Sequence, residues 1–199
     1  MRQRADAARS AGLSGDDHAR EPASVVLSVA RQYRRKDTPT LLRAFERVAE
    51  RVPEARLRIV GDGPELRAGR ALAAKLKLED RVSFTGALRS TDALDTEYRA
   101  AKVFCLPSRQ EGFGIVFLEA MAYGLPIVAA DAGAVPEVAP DGVTSVLVPP
   151  GDAPALADAL VRLLTDRPLA ERLGQAGVAR AARFDWPRTG RAFLAGLED

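Results

Sequence analysis

Two acidic residues, Glu111 and Glu119, stand eight positions apart in the segment EGFGIVFLE, with only uncharged residues between them. Glu119 is also the only charged side chain from residue 112 to residue 130. A carboxylate buried without a hydrogen-bond donor costs on the order of several kcal/mol, so Glu119 must reach water or meet a donor. Ligand hydroxyl groups are suitable donors, which makes both acids candidates for binding a hydroxyl-rich ligand.

The spacing of the two acids argues against a catalytic dyad. Glu111 lies just before a predicted helix and Glu119 roughly two turns into it, a separation of about 12 Å along the axis at about 1.5 Å per residue. That separation fits a ligand with hydroxyl groups at both ends of a diphosphate. The alternatives are a surface acid helped by the helix dipole for Glu111 and, for Glu119, a buried acid satisfied by a neighbouring arginine.

Two nearby segments could bind the diphosphate itself. The GFG segment at 112–114 precedes a predicted helix, whose N-terminal amides and dipole favour an anion; the alternative is a simple turn. Arg31 and Lys36 offer a planar fork and a point charge for the same anion. Four of the six residues from 31 to 36 are basic, so the alternative for this pair is a solvated loop face.

Composition excludes several other kinds of chemistry. The 29 basic residues nearly balance the 27 acidic ones, and only 6% of residues are aromatic, which argues against a nucleic-acid partner. The single cysteine, Cys105, excludes an internal disulfide and a cysteine metal cluster, and its apolar neighbours predict a buried, inert thiol. The single histidine, His18, lies in the polar N-terminal segment outside any predicted strand or helix, which argues against a Ser-His-Asp triad. One histidine also excludes a paired-histidine zinc site. We expect neither a metal nor a cofactor.

Strands and helices alternate along the chain from residue 25, whereas residues 1–21 are polar, lack periodicity and predict a linker or tail. The predicted strands are 25–30, 56–61, 81–86, 102–108, 125–131 and 145–150. The predicted helices are one from the cap Thr38 to about Pro53, then 66–78, 91–101, 113–123, 153–166, 169–184 and a last one after Trp186.

Repeated strand, helix, strand units with right-handed crossovers form a parallel sheet covered by helices on both faces. We therefore predict an α/β, doubly wound, Rossmann-like domain over residues 22–199. Such sheets bind ligands at the carboxyl ends of their strands, which is where the candidate residues fall. The segment GDGPEL evokes a dinucleotide fingerprint, but Leu66 replaces its third glycine, so it is weak evidence for a nicotinamide enzyme. No long apolar segment suggests secretion or a membrane span, and we expect a cytoplasmic protein.

The order of motifs resembles a known family. R-x4-K is followed by VGDGP, V-x-F-x-G, PS-x2-EGFG-x4-EAMA-x-G-x-P, PE and VPPGD. This order resembles the donor-binding C-terminal half of retaining GT-B-fold glycosyltransferases, the large group 1 family with the E-x7-E motif. The resemblance extends from residue 25 to about residue 196, and the EGFGIVFLEAMAYGLP block is its most specific part.

The resemblance implies a role for each candidate residue. Arg31 and Lys36 match the pair that binds the diphosphate, and Glu119 matches the carboxylate on the nucleotide ribose. Glu111 matches the acid that, with the following amides, holds the transferred sugar. Those amides belong to Gly112, Phe113 and Gly114, and the base is expected beside Thr85, Gly86 and Leu88.

The resemblance also implies a mechanism. Transfer from a nucleoside diphosphate sugar is expected to be metal-independent and to retain configuration, with Glu111, Arg31 and Lys36 as the catalytic residues. The basic pair and the helix N-terminus would stabilise the departing diphosphate, and a donor phosphate oxygen would help deprotonate the acceptor.

Three positions depart from the family pattern. Asp37 follows Lys36 where a glycine is usual, Ala134 replaces the second of two glycines, and Ser145 replaces another glycine. These departures are expected to alter the loops around the phosphates and the sugar.

A larger departure concerns the second half of the GT-B architecture. The N-terminal, acceptor-binding domain has no counterpart in residues 1–24, so it is expected to be a partner absent from this chain, and any peripheral membrane association is expected only through it. The final segment FDWPRTGRAFLAGL resembles the helix that crosses back to that domain, with Phe193, Leu194 and Leu197 on its apolar face. Turnover by the isolated domain is expected to be weak or absent.

Two other functions are compatible with the sequence. A non-hydrolysing nucleotide-sugar epimerase shares the two-domain arrangement, but it should need a histidine in the donor half. A catalytically silent module that binds a nucleotide sugar or a partner protein would keep the fold without the transfer activity.

Overall fold

The computed structural model describes residues 24–88 and 90–184 and contains a six-stranded parallel sheet in the order β3-β2-β1-β4-β5-β6. The predicted doubly wound, Rossmann-like sheet is confirmed. The chain leaves β1 toward one edge and returns at β4 to build the other, so the switch point lies between these two strands. The strands are β1 (Val25–Val29), β2 (Arg56–Val60), β3 (Val82–Gly86), β4 (Val103–Leu106), β5 (Ile127–Ala130) and β6 (Ser145–Val148).

Seven α-helices and one 3₁₀ helix, Arg34–Lys36, connect or follow the strands in the described part of the chain. The α-helices are α1 (Thr38–Arg51), α2 (Leu66–Lys75), α3 (Thr91–Ala100), α4 (Ile115–Ala122), α5 (Val135–Val138), α6 (Ala153–Thr165) and α7 (Arg167–Ala181). The 3₁₀ helix and α5 were not predicted, because segments of three or four residues carry too little periodicity to be recognised. The predicted tail with His18 and the predicted helix after Trp186 lie outside the described residues.

The core consists of two apolar clusters, one on each face of the sheet. Adjacent strand residues point to opposite clusters, as Val26 and Leu27 do on β1. Both faces of the central strands β1, β4 and β5 are therefore buried, which explains why their sequences are mostly apolar runs, whereas β2 and β3, toward one edge, alternate between buried and more exposed residues. Cys105 on β4 is fully buried as predicted, and its burial raises the pKa of the thiol.

Three helix starts differ from the prediction. Helix α7 begins at Arg167 rather than at residue 169, and the other two corrections concern the loops at the carboxyl edge. Helix α4 begins at Ile115 rather than Phe113, because Gly114 has a left-handed φ of 72° that no α-helix can contain. Glu111 lies in the loop before α4, as predicted, but this loop is longer than expected, so the axial distance estimated from the helical rise does not apply. Helix α1 has Asp37 rather than Thr38 as its N-cap residue.

Helices capable of crossing a membrane are absent from residues 24–88 and 90–184, where none combines the necessary length with sufficient apolar character.

Candidate functional site

The loops after β1 and β4 meet at the switch point and bring together two of the candidate residues. Lys36 Nζ donates to Glu111 Oε2 at 2.5 Å, and each of the two side chains is only 11% exposed. Ser108 Oγ donates to the same carboxylate oxygen at 3.2 Å. Because water is largely excluded from this ion pair, its charges interact more strongly than a surface pair would. Within the described part of the chain no residue donates to Glu111 Oε1.

Arg31 lies on the same loop as Lys36 but remains exposed. Its guanidinium carbon is 5.3 Å from the ring centroid of Tyr33, and that of Arg35 is 5.1 Å from the same centroid. Such cation–π contacts orient a guanidinium without neutralising it. The structure thus places Arg31 beside the candidate site but does not bring it into an ion pair with any described residue.

The GFG segment forms the loop that leads into α4. Gly112 and Phe113 are exposed, and Gly114 is the N-cap residue without a side-chain hydrogen bond to the first turn. The first amides of α4 therefore lack a side-chain cap, and such uncapped N-terminal amides can bind an anion. A Cβ atom on Gly114 would stand 2.5 Å from Phe117 Cδ2, so this position needs glycine for space as well as for its positive φ.

The loop after β5 supports Glu111 from behind. The amide of Ala134 donates to the Glu111 carbonyl oxygen at 3.2 Å. Gly133 has a φ of 58°, and a Cβ atom there would lie 2.4 Å from that carbonyl oxygen. Ala134 has a φ of −81°, which any residue adopts, so the departure at this position leaves the loop unstrained.

Glu119, on α4, is half-buried and has a protein partner that the sequence did not suggest. Tyr98 Oη on α3 donates to Glu119 Oε2 at 2.9 Å, and the Tyr98 ring stacks on Tyr123 with 5.0 Å between centroids. The alternative of a neighbouring arginine is wrong for the described residues. Burial, followed by the negative charge of Glu119, raises the pKa of Tyr98, so its hydroxyl remains a donor.

Thr85, Gly86 and Leu88 lie at the carboxyl end of β3, in the same edge of the sheet. Thr85 is exposed and Leu88 is half-buried against the apolar cluster that contains α4. The Gly86 carbonyl accepts from the Gly61 amide at 2.8 Å, which ties the loops after β2 and β3 together. Contact of this segment with a nucleotide base stays a prediction.

The GDG segment has a structural explanation that involves no dinucleotide. A Cβ atom on Gly61 would lie 1.9 Å from the carbonyl oxygen of Ala30, and Gly61 has a φ of 120°. Glycine is therefore needed where the loop after β2 passes close to the loop after β1.

The other two departures from the family pattern are also accommodated. Asp37 adopts a left-handed conformation, with φ 52° and ψ 42°, which aspartate tolerates better than most residues. Its buried carboxylate accepts from Thr40 Oγ1 at 2.8 Å and from Arg109 Nε at 2.7 Å. Ser145 Oγ donates to the Ala139 carbonyl at 2.7 Å. Both residues therefore have hydrogen-bond partners within the described fold, and the expected change in the phosphate loop stays a prediction.

Three side chains at the site were not predicted from the sequence: Tyr98, Ser108 and Arg109. The signal for Tyr98 was its spacing of four from Leu94 on the inward face of α3, which indicates burial but not the acid that it meets. Ser108 and Arg109 lie in the recognised motif, but its spacing says nothing about their direction.

Comparison with known proteins identifies the class to which this fold and site belong. Residues 15–180 match the family described as glycosyl transferases group 1, and the chain belongs to this family. Over 185 residues it is 40% identical to the D-inositol 3-phosphate glycosyltransferase of Kribbella flavida, covering 88% of this chain and 43% of that protein. The chain thus spans less than half the length of this curated relative.

Solved structures show the same fold. The Alr3699/HepE protein of Anabaena, in complex with UDP and glucose, has a TM-score of 0.80 and 26% identity over 89% of this chain and 49% of that chain. The C-terminal domain of the group 1 family protein LpcC from Francisella tularensis has a TM-score of 0.73 and 26% identity over 81% of this chain and 86% of that chain. The described domain has the Rossmann-like fold of one half of a GT-B glycosyltransferase.

Proposed function

We propose that this chain is the donor-binding C-terminal domain of a retaining glycosyltransferase, which transfers a sugar from a nucleoside diphosphate sugar to an acceptor hydroxyl. The observation that carries the proposal is the Lys36–Glu111 pair beside the uncapped N-terminus of α4. A cation, an acid and a helix N-terminus at a switch point suit a ligand with both phosphates and hydroxyl groups. The likeness to a structure that contains UDP and glucose supports this choice.

In the proposed complex each residue has one task. Lys36 and Arg31 would bind the diphosphate together with the first amides of α4, and Glu111 would accept hydrogen bonds from the sugar. Glu119, which is already held by Tyr98, would accept from the ribose hydroxyls. The base would lie near Thr85, Gly86 and Leu88.

Catalysis would come from charge stabilisation. As the bond from the sugar to the diphosphate breaks, negative charge grows on the phosphate oxygens, and fixed donors lower the barrier because they are already oriented toward it. Lys36 must then leave or share its contact with Glu111, since the phosphate competes for the same ammonium group. No step of this scheme requires a metal, and retention of configuration remains part of the proposal.

The acceptor would be bound by a second domain, outside the region that matches the relatives. We infer from its 43% coverage of the Kribbella flavida enzyme that such an N-terminal domain completes the cleft. The isolated chain should then bind donors but turn over poorly, because no acceptor hydroxyl is positioned. A cytoplasmic location and membrane association through the missing half stay predictions.

Calorimetric titration of the chain with UDP-, GDP- and ADP-sugars tests the proposal. We expect saturable binding of at least one of them, weakened about tenfold or more in Glu119→Gln, because charge-assisted hydrogen bonds to the ribose are lost. Glu171→Gln is the matched control, since Glu171 pairs with Arg167 on the exposed surface of α7. A folded chain that binds none of these donors at millimolar concentration would contradict the proposal.

A further inference from the structure

Two ion pairs of opposite polarity connect the loops after β1 and β4. On the first loop Lys36 is followed by Asp37, and on the second Arg109 stands two positions before Glu111. Lys36 pairs with Glu111 at 2.5 Å, and Arg109 Nε pairs with Asp37 Oδ2 at 2.7 Å. The Arg109 amide also donates to the Arg35 carbonyl at 2.8 Å, so the loops are connected by backbone as well as side chains.

Asp37 is built into the first loop more firmly than a surface acid would be. Its side chain is 8% exposed and has a second donor in Thr40 Oγ1 on the first turn of α1. Removing its charged partner would leave a buried carboxylate only half satisfied. Arg109 is more exposed, but its guanidinium lies close to a third loop, the one after β6. A Cβ atom on Gly151 in that loop would lie 2.9 Å from Arg109 Nη2.

The two ion pairs should respond differently to donor binding. If the proposed function holds, Lys36 must turn toward a phosphate and Glu111 toward sugar hydroxyls, so their mutual contact is exchanged for ligand contacts. Asp37 and Arg109 have no assigned ligand contact and can remain paired throughout. The second pair would then be the side-chain link that keeps the loops in register while the first pair opens.

We propose that Asp37 and Arg109 are positioning residues, whose ion pair holds Lys36 and Glu111 at the spacing that a nucleoside diphosphate sugar requires. This inference rests on the proposed function and adds a residue pair that the family pattern, with glycine at position 37, does not contain. Without the Asp37–Arg109 pair, donor binding would break the last ion pair between the two loops. The free energy needed to order the loops would then reduce donor affinity.

The sign of the effect of Asp37→Asn on donor affinity distinguishes positioning from simple electrostatics. The substitution removes a negative charge beside an anion site, so the field alone would tighten binding of a diphosphate. Loss of positioning would weaken it. We expect Asp37→Asn and Arg109→Gln each to weaken binding of the best donor about fivefold to tenfold, and the double variant to be no weaker than either single variant.

Further variants separate the ion pair from the backbone and from overall stability. Asp37→Gly keeps the left-handed conformation without the carboxylate and should lose affinity as Asp37→Asn does. Arg109→Lys retains a cation and should recover most of the affinity that Arg109→Gln loses. Asp158→Asn is the control, because Asp158 forms an ion pair with Arg51 between α1 and α6, away from the loops. Its donor affinity should equal that of the unchanged chain.

Amide hydrogen exchange provides a measurement that needs no ligand. The Arg109 amide, which donates to Arg35, should exchange about fivefold faster in Asp37→Asn, because the loops separate more often. Unchanged exchange there, or tighter donor binding in Asp37→Asn, would overturn the positioning inference while leaving the donor-binding function intact. If the unchanged chain binds no donor, the proposed function fails, and the exchange rate still decides whether the pair holds the loops.

Discussion

At the scale of single residues, the contact between Tyr98 and Glu119 explains how an acid is tolerated in an otherwise apolar helix. The Tyr98 hydroxyl donates to Oε2, and no described residue donates to Oε1. The carboxylate is thereby half satisfied by the protein and fixed in direction. It can accept ligand hydroxyl groups without first paying the entropy of being ordered.

We expect Tyr98→Phe to weaken donor binding about threefold to tenfold, because Glu119 loses the hydrogen bond that orients it. Isothermal titration with the best-bound nucleoside diphosphate sugar measures the change. Tyr123→Phe is a matched control, since Tyr123 stacks on Tyr98 but its hydroxyl donates to Asp95 rather than to Glu119. Equal losses in both variants would show that packing, and not the Tyr98 hydroxyl, accounts for the effect.

Two buried groups should make the fold sensitive to alkali. Burial raises the pKa of the Cys105 thiol and is the main cause of the raised pKa of Tyr98. In the unfolded chain the thiol has a pKa of about 8.5 and the tyrosine hydroxyl a pKa of about 10. Above these pH values the unfolded state therefore has fewer bound protons than the folded state.

The free energy of unfolding should therefore be unaffected by these two groups below about pH 8.5. It should fall by up to about 1.4 kcal/mol per pH unit for each group, from about pH 8.5 for Cys105 and from about pH 10 for Tyr98. Urea unfolding under reducing conditions at several values between about pH 8 and pH 11 measures this slope. Cys105→Val should give a shallower slope from about pH 8.5 upward. A slope identical to that of the unchanged chain would mean that Cys105 does not contribute.

The residue scale also shows what sequence reasoning can and cannot reach. Lys36 and Glu111 were predicted as site residues, but their ion pair could not be predicted, because it depends on the conformations of two loops that are far apart in sequence. The left-handed conformation of Asp37 and its hydrogen bond with Arg109 could not be predicted either, because the conformation of a loop cannot be read from the pattern of a single sequence.

At the scale of elements, the sheet and its helices were predictable because their signals are long and repeated. Apolar runs of four to five residues flanked by turns indicate buried strands, and α1 has a clear apolar face. The predicted helix ends were wrong where the conformation of one residue determines the boundary, as Gly114 does at the start of α4. Such ends determine how many loop residues separate Glu111 from α4, so they matter more for the site than for the fold.

Gly133→Ala tests whether the loop after β5 holds Glu111 in place. The added Cβ atom would stand 2.4 Å from the Glu111 carbonyl oxygen, so one of the two loops must move. We expect a loss of about 1–3 kcal/mol in the free energy of unfolding, together with weaker donor binding. Urea unfolding and calorimetric titration measure the two effects.

Gly142→Ala is the control for backbone strain alone. Gly142 has a similar φ of 66°, but nothing lies within 4 Å of an added Cβ atom. This variant should cost about 1 kcal/mol of stability and leave donor affinity unchanged. If Gly133→Ala behaved in the same way, the support for Glu111 from this loop would be disproved.

At the scale of the whole molecule, the described chain is one half of a GT-B architecture, with a core on both faces of its sheet. The loops that contain the candidate residues lie together at one edge, as the switch-point rule requires. Joining the chain to an N-terminal domain and assaying sugar transfer would separate an enzyme from a silent binding module. The epimerase alternative requires conversion of the donor sugar without any acceptor.

The most direct measurement of the central claim is a residue-resolved NMR titration of the ¹⁵N-labelled chain with the best-bound nucleoside diphosphate sugar. We expect saturable shifts of the amides from Gly112 to Val116 and of those on the loop around Lys36. The segment 79–83, at the opposite end of the sheet, should stay unchanged. Absence of shifts at millimolar donor, or shifts confined to 79–83, would contradict a donor site at the carboxyl edge.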